Sequence, residues 1–234
     1  MIRSETNAER VETYAKAIES GDVQPYYNAN GITLYNLNCL DYLENIKFDL
    51  MLTDPPYGID LKANDKTSKY RRLTRKIIND ATQETGEIAL KFSKSATIAF
   101  ASPMKPWSGK WRQHLIWNKG EHVGAGGDPN RLFKMDHELI QIRDTGRLNG
   151  KRESSVLNFK AKKSDYNFHP TPKPVSLIEY LLGKIEFEIV CDPFSGAGST
   201  LVAAQNMGKK AIGFELDKGY CEIIVERLRQ KVLF

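Results

Sequence analysis

Between Glu188 and Lys231 the chain passes through two short apolar runs, each followed by a stretch of helical character. Glu188-Ile-Val-Cys191 and Lys210-Ala-Ile-Gly-Phe214 are continuous apolar runs rather than alternating ones, the pattern of strands covered on both faces. Ser199 to Met207 and Asp217 to Lys231 read as helices, so the order is βαβα. Consecutive parallel strands need such crossovers, and the chain is therefore expected to be α/β, with a doubly wound, mostly parallel sheet. At 234 residues it is long enough to bury the core of one such domain.

The rest of the chain extends the pattern. Strands are expected at Ile32–Tyr35, 48–53, Ala96–Phe100, Leu115–Trp117 and Glu138–Ile142. Helices are expected at Leu40–Ile46, Thr85–Ser93, Trp107–Arg112 and Pro174–Leu182, the last with proline where a missing N–H does no harm. Residues 8–20 read as an amphipathic helix within an N-terminal extension, 1–30, ahead of a single domain over 31–234. Three polar stretches without period, at about 60–80, 120–131 and 144–166, read as long loops, which in a compact domain are usually functional or disordered.

Several classes are disfavoured. No apolar stretch approaches the roughly 20 residues a membrane-spanning helix needs, and the N-terminus lacks the apolar centre of a secretory signal. Cys39, Cys191 and Cys221 form no CxxC pair and the four histidines no ligand spacing, so no metal is expected and a reducing cytoplasm is. The net charge is only +5, but its distribution is uneven. Lys62, Lys66, Lys69, Arg71, Arg72, Arg75 and Lys76 are opposed between 62 and 76 by Asp65 alone, an electrostatic footprint suited to nucleic acid.

Two strand ends carry the candidate chemistry. Asp192-Pro-Phe-Ser-Gly-Ala-Gly198 turns a strand into a helix, where Gly196 and Gly198 let a ligand approach the backbone. Ser199 and Thr200 lie at the helix N-terminus, whose free N–H groups favour an anionic group. Glu215, at the end of the next strand, is in register to bind two ribose hydroxyls. Leu201 stands where a third dinucleotide-loop glycine would be, which disfavours a nicotinamide cofactor. The other strand end is Asp54-Pro-Pro-Tyr57, a carboxylate and an aromatic ring on a stretch stiffened by two prolines.

These stretches occur in the order Asp54-Pro-Pro-Tyr-Gly58, His114-Leu-Ile-Trp-Asn-Lys-Gly120, His137-Glu-Leu-Ile140, Leu148-Asn-Gly-Lys-Arg152, His169-Pro-Thr-Pro-Lys-Pro174, Asp192 to Gly198 and Gly213-Phe-Glu-Leu-Asp217. In that order the chain resembles the permuted (beta-group) DNA amino-methyltransferases that use S-adenosylmethionine, over roughly residues 30–232. The resemblance implies a Rossmann-like methyltransferase fold with circularly permuted motif order, and methyl transfer to the exocyclic amine of a base flipped from double-stranded DNA. Asp54, Pro55, Pro56 and Tyr57 would hold the amine and stack on the base. Asn38, Cys39, Asp54, His169, Thr171, Lys173, Asp192, Phe194, Gly196, Gly198, Ser199, Thr200 and Glu215 would line the cofactor, with Lys173 and Ser199 near its carboxylate. Asn38 stands where the family usually has aspartate.

Lys62, Lys69, Arg71, Arg72 and Arg75 would contact DNA, and the three long loops would face it. Asp before Pro-Pro-Tyr favours adenine N6; cytosine N4 is the alternative, and a nucleic-acid-binding protein without turnover the reading from another class. A solitary or restriction-modification enzyme of bacterial or phage origin is implied, and a homodimer is an expectation because two copies can supply what one small chain lacks.

Overall fold

In the computed structural model the residues described are 23–57, 82–93, 95–120, 132–133, 135–143, 149–161 and 172–230. Among them nine strands form one sheet: β1 (Tyr27–Ala29), β2 (Ile32–Tyr35), β3 (Leu50–Thr53), β4 (Ala96–Ala101), β5 (Gln113–Asn118), β6 (His137–Arg143), β7 (Val156–Asn158), β8 (Ile189–Asp192) and β9 (Lys210–Phe214). Their order across the sheet is β1-β2-β9-β8-β3-β4-β6-β5-β7. The central run β2-β9-β8-β3-β4 is parallel, and β6 pairs antiparallel with both β4 and β5. The helices are α1 (Glu84–Phe92), α2 (Val175–Leu182), α3 (Ser199–Asn206) and α4 (Lys218–Arg229).

Adjacent residues in a strand face opposite sides, and here both sides are covered. Leu50 and Leu52 point into a core built with α2, α3 and α4 through Leu177, Ile178, Leu201 and Ile224. Met51 points the other way, among Ala89 and Leu90 of α1 and the turn residues Cys39, Tyr42 and Leu43. Two-sided burial is why these strands read as unbroken apolar runs.

The architecture has a consequence for function. In a parallel sheet all strands end on the same edge, where ligands bind. Thr53, Asp192 and Phe214 end β3, β8 and β9 on that edge, so Asp54 and Glu215 emerge there on either side of β8. Because β6 is antiparallel, its beginning lies there too, and it delivers Glu138.

Four local expectations are corrected. The helix at Leu40–Ile46 is a single 3-10 turn, Cys39–Asp41, because Tyr42 leaves helical space (φ −131°) and packs with Leu43 toward Phe214. Trp107–Arg112 is not helical. The Gln141 side chain holds the Trp107 backbone from both sides, accepting from its N–H at 2.7 Å and donating to its carbonyl at 3.2 Å. Within 144–166, β7 adds an edge strand to β5. A strand not expected, β1, pairs with β2 across Asn30-Gly31, both with positive φ (52° and 79°), the conformation of a two-residue hairpin turn. The helix expected at 8–20 lies outside the described residues.

Candidate active site

Asp54 follows β3 directly, and both of its oxygens are engaged. Oδ1 accepts from the Tyr57 hydroxyl and Oδ2 pairs with the Lys173 ammonium. The Lys173 ammonium also reaches Glu138 Oε2 at 3.2 Å, and Glu138 Oε1 pairs with Lys119 at 2.5 Å. Tyr57 Oη lies 3.4 Å from Glu138 Oε2, closing a cluster of two carboxylates, two ammonium groups and a phenol. Side-chain exposure is 6% for Lys173, 10% for Glu138 and 15% for Lys119, against 27% for Asp54, so Asp54 is the member that opens outward.

Aromatic rings wall the cluster. The Lys173 ammonium lies 5.0 Å from the centroid of Phe100, 5.8 Å from that of Tyr57 and 6.0 Å from that of Trp117. Burial pushes the Asp54 carboxyl above its ordinary value, outweighing Lys173, and Glu138 adds to the rise. Burial acts on Glu138 in the same direction, but Lys173 and Lys119 outweigh it and hold that carboxyl low. Burial pulls Lys173 down, and Asp54 with Glu138 more than compensate, so it stays a cation.

A rigid scaffold supports Asp54-Pro-Pro-Tyr57. Pro55 is buried beneath it, and Trp107, fixed by its Nε1–H bond to the Phe100 carbonyl at 2.7 Å, stands 6.2 Å from the Tyr57 ring. Gly86 of α1 makes that packing possible. A Cβ there would stand 2.6 Å from Trp107 Cη2 and 2.9 Å from Pro55 Cβ.

The glycine turn occupies the neighbouring strand end. Gly196 (φ 49°) and Gly198 (φ 78°) are both left-handed, and a Cβ on Gly198 would meet Ile224 Cγ1 at 2.8 Å. Glu215 holds the turn from β9, accepting from Gly196 N–H and from Asp217 N–H, each at 2.8 Å. Burial pushes its pKa up to about 7. With the open glycine backbone and the α3 N-terminus, this donor and acceptor set suits a nucleoside bearing an anionic tail.

Several residues assigned to the cofactor by resemblance sit elsewhere. The Cys39 side chain is in the core and its carbonyl accepts from Tyr42 and Leu43 N–H, so neither is available to a ligand. Asp192 is buried, and its Oδ1 accepts from Thr53 Oγ1 at 2.9 Å and Phe194 N–H at 3.2 Å. It therefore fastens β3 to β8. Its pKa is pushed by burial to about 6. The Lys173 ammonium is on Asp54 and Glu138, while its carbonyl accepts from Ser199 Oγ at 2.7 Å. Thr200 is buried and hydrogen-bonds through its side chain to Asp192.

Asn38 caps the 3-10 turn through Leu40 N–H at 3.2 Å, and Phe194 is half-buried beside the α1-side core. Pro56 is half-buried. His169, Thr171, Lys62, Lys69, Arg71, Arg72 and Arg75 lie outside the described residues. Glu138 and Lys119 were not singled out from sequence, although both fall in the ordered motifs. The available signal is the motif His137-Glu-Leu-Ile140 itself, in which a carboxylate directly precedes two apolar strand residues. Among the described residues no three His, Cys, Asp or Glu side chains gather as a metal set, and no helix is long and apolar enough to cross a membrane.

Comparison with known proteins converges on one family. The sequence pattern of the DNA methylases of N6/N4 type matches residues 48–226. The putative methylase YubD of Escherichia coli K12 is 29% identical over 198 residues, covering 77% of this chain and 81% of that protein. A local match to the type II methyltransferase M.HindIII of Haemophilus influenzae is 36% identical over 77 residues, 32% of this chain, and spans only 25% of the relative's length. Among solved structures, that of the M1.HpyAVI–SAM complex shares the fold at a TM-score of 0.60 and 20% identity, over 85% of this chain and all (100%) of that one.

Proposed function

The chain belongs to the DNA methylase family and is a DNA amino-methyltransferase dependent on S-adenosylmethionine; within that activity we propose that its target is the N6 amine of adenine in double-stranded DNA. The observation that supports amine methylation here is the placement of Asp54 and Glu215 on one sheet edge, separated only by β8; the choice of adenine rests on aspartate at position 54. An amine clamp and a nucleoside seat thus stand side by side.

When bound, S-adenosylmethionine supplies a methyl group activated by a sulfonium. Glu215 would accept from the ribose hydroxyls, the glycine turn would lie against the nucleoside, and the α3 N-terminus would face the carboxylate. Lys173, engaged with Asp54, acts on the amine side instead.

The exocyclic amine is a weak nucleophile because its lone pair is delocalised into the ring. Asp54 and the Pro55 carbonyl would accept its two N–H groups, which turns the lone pair toward the methyl group. The proline-stiffened backbone fixes these acceptors in advance, so little reorganisation accompanies transfer. Tyr57 would stack on the base once it has left the duplex. Its hydroxyl now occupies Asp54 Oδ1, so an incoming amine must share or displace that bond.

Aspartate at position 54 supports adenine by resemblance. Cytosine N4 is the second reading, because its amine offers the same two N–H groups to the same acceptors. Incubation with labelled donor and unmethylated genomic DNA, then nucleoside digestion and mass spectrometry, separates them. N6-methyladenine is expected; N4-methylcytosine overturns the proposal in favour of the second reading, and no labelled nucleoside overturns both. A separate proposal, motivated by the basic run at 62–76, is that it faces the duplex. A homodimer is likewise a proposal, tested by light scattering.

A further inference from the structure

The cluster beneath Asp54 contains a second buried carboxylate that the clamp itself does not require. Glu138 comes from β6, and no feature of strand pairing calls for a charge there. Its two oxygens divide the surrounding cations. Oε2 takes Lys173 at 3.2 Å and Oε1 takes Lys119 at 2.5 Å. Lys173 is thereby bound to Asp54 Oδ2 and to Glu138 at once.

We propose that Glu138 is a positioning residue for methyl transfer, which shares the Lys173 ammonium with Asp54 and so keeps Asp54 a strong acceptor for the target amine. This rests on the reading of Asp54 as the amine's acceptor. The charge balance gives the physical reason. Asp54, Glu138, Lys173 and Lys119 together sum to zero. Without Glu138 the cluster carries one net positive charge, beneath a nitrogen that becomes positive as its bond to the methyl carbon forms. Inside a buried site that mismatch opposes the reacting state far more than the resting one. Lys173 would also be drawn wholly onto Asp54, competing with the amine's N–H groups for its lone pairs.

Among the described residues, the groups that face Asp54 are Lys173 ahead of α2, Glu138 on β6, Tyr57 on its own turn and Asp192 on β8, with Lys119 behind Glu138. Removing the negative Glu138 therefore lowers the pH at which Asp54 titrates, and removing the positive Lys119 raises it. Glu138→Gln and Lys119→Gln are the paired variants. Two readouts are needed: Asp54 titration by carbon-13 NMR of aspartate-labelled protein, and the pH profile of kcat with genomic DNA.

Glu138→Gln is expected to lower kcat about 10- to 100-fold with little change in KM for the cofactor, and to move the Asp54 midpoint to lower pH. Lys119→Gln is expected to move the midpoint to higher pH. Unmoved midpoints, or a fall in kcat without the opposed shifts, overturn the proposal and leave Glu138 a structural counter-ion. If Glu138→Gln does not fold, the direction of the Lys119→Gln shift decides alone. Asp54→Ala separates the two layers. An active Asp54→Ala enzyme defeats the acceptor reading itself, whereas an inactive one alongside a wild-type-like Glu138→Gln defeats only the role of Glu138.

Discussion

Gly86→Ala pits two effects of known sign against each other. Glycine within a helix costs roughly 0.5–1 kcal/mol relative to alanine, so on propensity alone the variant should be more stable. The new methyl, however, would stand 2.6 Å from Trp107 Cη2, 2.8 Å from Cζ3 and 2.9 Å from Pro55 Cβ. Neither neighbour is the yielding end of a flexible chain. Trp107 is 2% exposed and held at its backbone and indole N–H, and Pro55 is a ring in the main chain. Overpacking of that kind costs about 1–3 kcal/mol, so clash outweighs propensity and a net loss of about 1–2 kcal/mol follows. In a domain of this size that lowers Tm by about 2–8 °C, measurable by calorimetry alongside urea unfolding. The clash presses on Pro55, and displacement of that turn carries Asp54 with it, so kcat should fall about tenfold while cofactor affinity holds. An alanine variant more stable than the parent by the full propensity gain would show that α1 does not buttress the turn.

Two further predictions concern Glu215 and the basic run at 62–76. Glu215 needs its carboxylate to accept from ribose, and its pKa is about 7. S-adenosylmethionine affinity by calorimetry should therefore weaken about tenfold from about pH 8 to about pH 6, and Glu215→Gln should abolish that dependence. The sign for stability is opposite: a carboxyl raised from 4.5 to about 7 favours the ligand-free fold at low pH and loses that contribution as pH rises through about 7. Neutralising Arg71, Arg72 and Arg75 together should make the slope of log affinity against log salt shallower by about 2.7, if each meets one phosphate. An unchanged slope removes that run from the DNA interface.

The central strands were legible because burial on both faces leaves an unbroken apolar run in β3, β4, β8 and β9. The glycine turn and Glu215 were legible because a left-handed backbone and a strand-end acid leave a mark in residue type. Elsewhere tertiary contacts decided the outcome. Nothing local in Trp107–Arg112 announces that a glutamine 34 residues away will hold the Trp107 backbone out of a helix. The β1–β2 hairpin, by contrast, did carry a signal in Asn30-Gly31, which its short flanking strands concealed. For the site, residue type revealed which side chains bear charge but not their partners. Lys173 was placed by motif beside the cofactor, and only the antiparallel insertion of β6 shows why its ammonium finds Asp54 and Glu138 instead.

The account turns on Asp54 acting on the target amine rather than on the cofactor. The direct test is a single-turnover methylation assay of Asp54→Ala on genomic DNA, paired with calorimetric titration of S-adenosylmethionine. Methyl transfer should fall by about 10²–10³-fold or more while the cofactor's Kd stays within about threefold of the parent's. Transfer at a near-parental rate, or loss of cofactor binding in parallel with activity, would contradict it.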